Sequence, residues 1–584
     1  MRTRTKVSIF LLSLALVFTS CNHDANNSNT KSVTISYRNL ERTPHNGGVY
    51  YKIPAGKTEV IVTGLPSDKI VSLVRLNTKS QALTNVASVT GQEYGGSRQV
   101  LNDAAACNAN SDLGLEPSFD SIIYNEKDNG PFEIPFIDTT DYESIIRELK
   151  ANNSSQNIKP NYMVAGNSSS QNSFTVGATK NFFVEDGDDG DGQTAATLRA
   201  TLRCEGTYCY IWVPDENFGT DEETDNDNKI TLTQARALAA AFDALYPKET
   251  GLIGNSYTTN PDNTYFINPQ AKISILVYDI SGDYASNQTG GAFGHFTGID
   301  LFKKTNNPEY ASSKSNEMEL LYVDSYFTDR FFTSVVSTLA HEFEHMLYFV
   351  HKCLGQGNFD GNTWYTEMGA MMAEDCLATY LEATYTDFHI DEDSTLSRLK
   401  KFNADYYSGG LKYWGDGDDV YTSYAIAGVF GCWLQRNYGG ERLIKEIVNN
   451  RDVDMFSIQT AIRTLGYTES FTDLFRQFAL SFVQPRATAY TLNKATSGNA
   501  NGDYNLVAAN PWDVKYSNIY RISGEPTIVY GPVYGKGDYS GIMRSFGFWI
   551  TGWDASQWSG IKLVFSAATD EENYIVIADQ NESM

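Results

Sequence analysis

Residues 331–352 read FFTSVVSTLAHEFEHMLYFVHK, and this stretch decides both the fold and the chemistry. Apolar residues recur there on a helical period, neither Gly nor Pro interrupts them, and Gly355 follows as a stop. His341 and His345 then lie one turn apart on one face, as two neighbouring ligands of a tetrahedral metal require. Glu342 projects beside them, where it can take a proton from metal-bound water. The segment predicts a helix that carries a zinc site.

A second predicted helix supplies the third protein ligand that such a site needs. Residues 362–375 read NTWYTEMGAMMAED, in which Thr366 can cap a helix and Glu367 falls in the first turn. The segment is similar to the second ligand helix of the gluzincins, and that similarity implies that Glu367 binds the metal. Glu374 shares nearly the same helix face, as a partner for a ligand His or as the alternative ligand. The competing interpretation of Glu367 is a solvated carboxylate favoured by the helix dipole.

Three segments carry a closer family resemblance: LYVDS at 321–325, STLAHEFEHM at 337–346 and YTE at 365–367. They resemble the hyicolysin family of zinc metallopeptidases, and the likeness spans roughly residues 173–480. The resemblance implies an exported bacterial endopeptidase with one Zn²⁺ per chain and with proteins or peptides as substrates.

A group that stabilises the oxyanion is usual in such sites. Residues 421–428 read YTSYAIAG and open an apolar helix that is similar to the Tyr-bearing helix of related gluzincins. This similarity favours Tyr424 as the second catalytic residue beside Glu342, with Tyr421 next and His389 third. In a chain with 36 Tyr, an ordinary packed tyrosine is the equal alternative.

The N-terminus predicts export. Basic residues precede an apolar run at 7–18 that is too short to span a bilayer comfortably. The run ends in FTSC at 18–21, which resembles a bacterial lipoprotein signal in which residues 1–20 are removed and Cys21 is lipidated. An ordinary secretory signal is the alternative. We therefore expect an extracytoplasmic protein, anchored in the membrane by lipid at the cell surface or in the periplasm.

The formal net charge of −26 argues against nucleic acid as a partner. A Ca²⁺ site is weakly indicated by the acidic residues 223–234, which lack the turn Gly and the closing Glu of a calcium loop. That segment and residues 186–192 are better interpreted as solvated acidic loops. Export makes disulfides plausible, and the predicted pairs are Cys204–Cys209, Cys353–Cys376 and, by elimination, Cys107–Cys432.

The pattern of elements predicts a multidomain α+β protein. Short β runs occur near both ends, a helix at 233–245 stops before Pro247, and an apolar strand covers residues 271–280. The predicted units are a tether at 21–31, an N-terminal β-sandwich-like module at 32–80, a linker or pro-segment-like region at 81–172, a gluzincin-like metallopeptidase domain with a largely helical C-terminal half at 173–500, and a C-terminal β module at 510–584.

These features together predict an exported zinc-dependent endopeptidase that hydrolyses peptide bonds with metal-activated water. The alternative from another class is a surface adhesin or binding lipoprotein with a degenerate peptidase domain, which the intact H-E-x-x-H and Glu367 disfavour. Aminopeptidase action ranks lower, because no obvious N-terminus-binding Glu motif is visible.

Overall fold

The computed structural model describes residues 31–42, 49–67, 69–96, 132–133, 142, 144–145, 147, 173–185, 195–220, 228–256, 265–282, 284, 290–304, 314–417, 419–483, 491–498, 504–518, 527–533, 541–568 and 570–579. Within these ranges no helix combines the length and apolar content needed to cross a bilayer. Several predicted features lie outside them and stay predictions: the signal at 1–20, Cys21, Cys107, most of the tether and of the 81–172 region, and the acidic segments 186–192 and 223–227.

The strands fall into an N-terminal, a central and a C-terminal set. The first set is β1 Ser32–Ser36, β2 Glu41–Arg42, β3 Val49–Lys52, β4 Glu59–Thr63, β5 Lys69–Leu76, β6 Leu83–Val86 and β7 Val89–Glu93. The central set is β8 Phe132–Glu133, β9 Thr179–Glu185, β10 Ala195–Glu205, β11 Cys209–Pro214, β12 Ile273–Tyr278, β13 Gly290–Gly291, β14 Gly294–His295 and β15 Leu320–Asp324. The last set is β16 Lys515–Asn518, β17 Thr527–Tyr530, β18 Gly541–Met543, β19 Phe548–Asp554, β20 Gly560–Phe565 and β21 Glu572–Asp579.

Strands from both ends of the chain share two sheets, in the orders β1-β4-β20-β7 and β19-β5-β21-β3-β2. Leu73 of β5, for example, is paired with Thr551 on one side and with Ile575 on the other. A separate apolar core includes residues of both sheets, among them Val60, Leu73, Ile561 and Ile575, and we call these two sheets with their core the sandwich. The two β modules predicted at 32–80 and 510–584 are thus joined by their strand pairing, because alternation predicts strands but not their partners.

The central sheet has the order β14-β15-β12-β11-β10-β9. β11, β12 and β15 run parallel and are buried along their whole length, which explains their continuous apolar sequences. The predicted strand at 271–280 corresponds to β12. β14 pairs antiparallel with β15 at the edge of the sheet. A short strand therefore lies beside β15, the strand that precedes helices α2 and α3.

The helices follow mainly the central strands. Their bounds are α1 Leu232–Leu252, α2 Ser325–Arg330, α3 Phe332–Tyr348, α4 Thr363–Thr384, α5 Ile390–Asp393, α6 Leu399–Asp405, α7 Asp419–Asn437, α8 Arg442–Asn449, α9 Asp454–Thr464 and α10 Phe471–Ser481. A π-helix, Phe349–Gly355, extends α3. The structure therefore confirms the mixed α+β class with a largely helical second half.

Helix α1 is longer than predicted. It runs through Pro247 instead of ending before it, although a proline inside a helix removes one backbone hydrogen bond. Phe242, Leu245 and Leu252 are all buried on this helix. Burial of residues on both sides of the proline offsets the lost bond, which local propensity alone does not reveal.

Helix α4 lies between α3 and α7 and contacts both. Its approach to α7 is close, because a Cβ placed on Gly431 would lie 2.8 Å from Cγ of Met372. At Gly428 the added Cβ would lie 2.7 Å from Sδ of Met371. The two glycines let α7 pack directly against the helix that carries Glu367.

An ion pair and side-chain hydrogen bonds fix the sandwich to the helical half of the protein. Glu572 of β21 accepts two hydrogen bonds from Arg476 of α10, at 2.8 and 2.6 Å, and one each from Lys52 and Tyr574. Burial raises the pKa of Glu572, but these hydrogen bonds and the charge of Arg476 outweigh it and lower the pKa to about 2. Nε1 of Trp549 on β19 donates a hydrogen bond to the carbonyl oxygen of Tyr407 in the helical half, 2.8 Å away.

The described cysteines are all buried free thiols: Cys204, Cys209, Cys353, Cys376 and Cys432. The predicted Cys204–Cys209 bridge is wrong. The strand register explains this, because Cys204 pairs with Ile211 across the hairpin instead of with Cys209.

The predicted Cys353–Cys376 bridge is also wrong. Cys353 lies in the π-helix, whereas Sγ of Cys376 accepts a hydrogen bond from Gln435 at 3.1 Å where α4 meets α7. For the third predicted pair, Cys432 is free, and its proposed partner lies outside the described residues.

Candidate metal centre

Helix α3 places the two predicted imidazoles side by side. His341 and His345 have ring centroids 4.8 Å apart, with the ring planes at 82°. His341 and Glu342 are each only 6% exposed, so most of the predicted motif lies inside the protein. A buried and a half-buried imidazole beside a buried carboxylate are costly unless a metal or protons satisfy them.

Helix α4 brings Glu367 to the same place. Oε2 of Glu367 lies 3.0 Å from Nε2 of His341 and 3.5 Å from Nε2 of His345. One ligand atom from each of the three residues lies within 4.8 Å of the other two. Among the described residues, the fold thus brings two imidazole nitrogens and one carboxylate oxygen together, although Glu367 lies 26 and 22 positions after the two histidines.

The electrostatics of this group fit a cation. Burial lowers the pKa of His341, but hydrogen bonds with Glu367 and Glu374 outweigh it and raise the pKa well above its ordinary value. Burial raises the pKa of Glu367, but the charge of His345 and hydrogen bonds with both imidazoles hold the pKa below its usual range. Two imidazoles and one carboxylate are the donor set of catalytic zinc sites, whereas Ca²⁺ prefers oxygen ligands. The residues present fit Zn²⁺.

Glu374 lies beside the imidazole of His341, two helical turns after Glu367. Its Oε1 is 2.6 Å from Nδ1 of His341, and its Oε2 accepts a hydrogen bond from Ser337 at 3.5 Å. The geometry matches the predicted partner role, because a ligand His commonly donates its second ring N–H to a carboxylate. Glu367, not Glu374, faces both imidazoles.

Glu342 lies under the edge of the central sheet. A Cβ placed on Gly294 of β14 would lie 3.5 Å from Cγ of Glu342 and 3.0 Å from Cγ2 of Thr338. The same atom would lie 2.8 Å from the carbonyl oxygen of Tyr322 on β15. Only a residue without a side chain lets β14 approach the helix this closely.

The three candidates for the oxyanion role lie in different settings. Tyr424 is buried on α7, with its ring centroid 4.9 Å from that of Trp414 and the Arg398 guanidinium 5.1 Å from the ring. Tyr421 is half-buried one turn earlier on the same helix. His389 is exposed at the N-cap of α5, where its N–H donates to Asp393. The assignment to Tyr424 stays a prediction.

The sequence did not reveal an anchor that joins the two ligand helices. Lys352, fully buried after α3, donates to carbonyl oxygens of Ile447, Asn450 and Asp452 at 2.6–2.8 Å. Tyr365 of α4 donates to Oγ of Ser457, in the first turn of α9, at 2.7 Å. Helices α8 and α9 and the turn between them thus hold both ligand helices. A lysine inside an apolar helical run is the only local signal of such an anchor.

Comparison with known proteins bears directly on this centre. The profile described as Peptidase M30 matches residues 189–526, which include all three converging residues. The chain belongs to the peptidase M30 family. This membership confirms the resemblance to hyicolysin-type metallopeptidases that the ligand segments indicated.

One similar protein is the neutral metalloprotease ShpI of Staphylococcus hyicus, to which the chain is 28% identical over 300 residues. The match covers 50% of this chain and 59% of ShpI, so the chain spans about three-fifths of that relative's length. Among solved structures, an aminopeptidase N family protein from Idiomarina loihiensis aligns with 69% of this chain and 76% of its own, with a TM-score of 0.29 and 9% identity. At that score the likeness supports no argument about the site.

Proposed function

We propose that this M30-family protein is a zinc-dependent endopeptidase that acts on proteins or peptides outside the cytoplasm. The observation that carries the proposal is the convergence of His341, His345 and Glu367 within 4.8 Å. A carboxylate hydrogen-bonded behind His341 supports it, as does the intact Glu342 beside the two imidazoles. Family membership and the similarity to a neutral metalloprotease support the reaction class.

The residues have distinct roles in this proposal. His341, His345 and Glu367 would hold one Zn²⁺, and a bound zinc lowers the pKa of a water molecule and polarises a carbonyl. Glu342 accepts the proton of the attacking water and later donates it to the leaving amine. Tyr424 is proposed to donate a hydrogen bond to the oxyanion. The remaining chemistry is water attack on a peptide carbonyl, followed by loss of the amine.

The decisive experiment replaces only the proton carrier. Glu342→Gln keeps the size of the side chain and removes its basicity, so we expect peptide hydrolysis to be lost while one zinc per chain remains by elemental analysis. Wild-type protein treated with a chelator should lose activity and regain it with zinc. Full activity of Glu342→Gln would overturn the proposed mechanism, and zinc-free wild-type protein would favour a binding protein with a degenerate site. A peptide library would separate endopeptidase from aminopeptidase cleavage.

The location is a separate part of the proposal. The signal at residues 1–20 and Cys21 support a lipid anchor on the outer side of a membrane, because the apolar run at 7–18 leads into FTSC at 18–21. We expect Cys21→Ser to move the protein from the membrane fraction to the soluble extracytoplasmic fraction. Retention of the variant in the membrane would contradict the anchor and leave the enzymatic proposal intact.

A further inference from the structure

Glu344 is an unusual residue within the metal helix. Its side chain is 0% exposed, and neither carboxylate oxygen has a hydrogen-bond partner among the described residues. Most buried polar groups in proteins have at least one partner, so each exception calls for a physical reason. A buried carboxylate without a partner is costly.

A ring nitrogen of a proposed ligand lies close to this carboxylate. Oε2 of Glu344 lies 3.7 Å from Nδ1 of His345, while the opposite ring nitrogen, Nε2, faces Glu367 at 3.5 Å. The ring of His341 is placed in the same way, with Nε2 toward Glu367 and Nδ1 toward Glu374. Each imidazole therefore has one nitrogen facing the metal centre and the other facing its own carboxylate.

The facing helix leaves room for this carboxylate. Gly369 of α4 lies opposite Glu344, and a Cβ added there would be 3.1 Å from Oε1, closer than nine in ten real Cβ contacts. A glycine inside a helix is destabilising relative to alanine. Its place here, two residues after Glu367, lets the two ligand helices close around the Glu344 side chain.

We propose that Glu344 is the positioning residue of His345, as Glu374 is for His341. At 3.7 Å the two atoms are beyond hydrogen-bond distance in this structure, and in the proposal a small shift of the Glu344 side chain lets Oε2 accept a hydrogen bond from Nδ1–H. That hydrogen bond fixes the tautomer and ring orientation and leaves the Nε2 lone pair directed at the metal. This inference rests on the proposed zinc site and adds a residue outside the H-E-x-x-H pattern to it. The H-E-F-E-H sequence then contains two ligands, a proton carrier and the partner of the second ligand.

The test compares zinc affinity in full-length variants, measured by competition with a chromogenic chelator. Glu344→Leu removes the acceptor with little change in volume, and we expect zinc to bind about 10- to 100-fold more weakly. Glu344→Gln keeps an acceptor oxygen without the charge and should fall between that variant and wild type. Glu374→Gln serves as the positive control and should also weaken zinc binding. The d–d spectrum of the Co²⁺-loaded variants reports whether the ligand geometry changes.

The chain offers a matched control in Glu249 of α1. This carboxylate is likewise 0% exposed, and neither of its oxygens has a partner among the described residues. Glu249 interacts by charge with Glu344 and His341, but no hydrogen bond among the described residues links it to a ligand imidazole. Glu249→Leu should therefore weaken zinc binding less than Glu344→Leu does, and it should leave the Co²⁺ spectrum unchanged.

The outcomes separate cleanly. Zinc affinity of Glu344→Leu within twofold of wild type, or an equal loss in Glu249→Leu, would overturn the positioning role. If Glu344→Leu does not fold by circular dichroism, Glu344→Gln carries the test, and wild-type affinity in that variant would overturn the role as well. Absence of zinc binding by the wild-type protein would instead remove the proposed function itself.

Discussion

The buried ion pair between Asp375 and Arg436 gives a prediction whose size follows from the structure. The two side chains are 1% and 0% exposed, and two hydrogen bonds of 2.5 and 3.0 Å join them. Arg436 also donates to the carbonyl oxygen of Val507, at 3.0 and 2.8 Å. The pair ties α4, which carries Glu367, to α7 and to the segment around residue 507.

Removing one partner leaves an uncompensated charge in the core. Asp375→Leu and Arg436→Met should therefore each lower the free energy of unfolding by about 3–5 kcal/mol. Replacing both partners, by Asp375→Leu with Arg436→Met, removes both charges and leaves mainly the Val507 carbonyl without its donor. That costs about 1–3 kcal/mol, so the double variant should be more stable than either single variant.

A double-mutant cycle on the metal-free protein measures this coupling. Guanidinium unfolding of the four proteins is followed by ellipticity at 222 nm, which reports the helical half where the pair lies. If the double variant loses the sum of the two single losses, the residues act independently and the reasoning fails. A loss below about 1 kcal/mol in both single variants would show that the pair is solvated in solution, as exposed pairs are.

Two further predictions concern the site and the docking of the sandwich. Tyr424→Phe should lower kcat about 100- to 1000-fold with zinc content unchanged, because it removes one proposed oxyanion donor. Tyr421→Phe is the matched control and should stay near wild type, and the reverse ranking would exchange their roles. Glu572 has a folded-state pKa of about 2 against its ordinary 4.5, so its contribution to stability is present above pH 4.5 and is lost as pH falls toward 2. Glu572→Gln should therefore remove part of the difference in Tm between pH 5 and pH 3, and an unchanged difference would exclude this carboxylate as its source.

The parts of the fold that depend on local pattern could be predicted from sequence. Helical periodicity over residues 331–352 corresponds to α3 and its π-helical extension, and the buried apolar run at 271–280 corresponds to β12. The spacing of His341 and His345 within one helix fixed their common face. Glu367 required a resemblance as well, since nothing local shows which carboxylate of α4 faces the imidazoles.

The parts that depend on contacts between distant residues could not be predicted in this way. Strand alternation did not reveal that β5 pairs with β19 and β21, whose residues lie 478 and 502 positions after their partner Leu73. Hairpin-like spacing suggested a bridge between Cys204 and Cys209 that the strand register does not form. Glu344 was missed because its burial depends on Gly369 of another helix, and a glutamate in a helical run is otherwise typical of a solvated face.

The shared sheets of the sandwich have a consequence for how the chain is made. During synthesis β4 and β5 emerge hundreds of residues before β19, β20 and β21, and until then their edges have no partners from the far end of the chain. Unpaired strand edges readily pair with other chains, and pairing over such separations is intrinsically slow. The nascent N-terminal segment is therefore prone to aggregate until β19, β20 and β21 have been synthesised. We expect chaperones that cover exposed strand edges to raise the yield of folded protein during this interval.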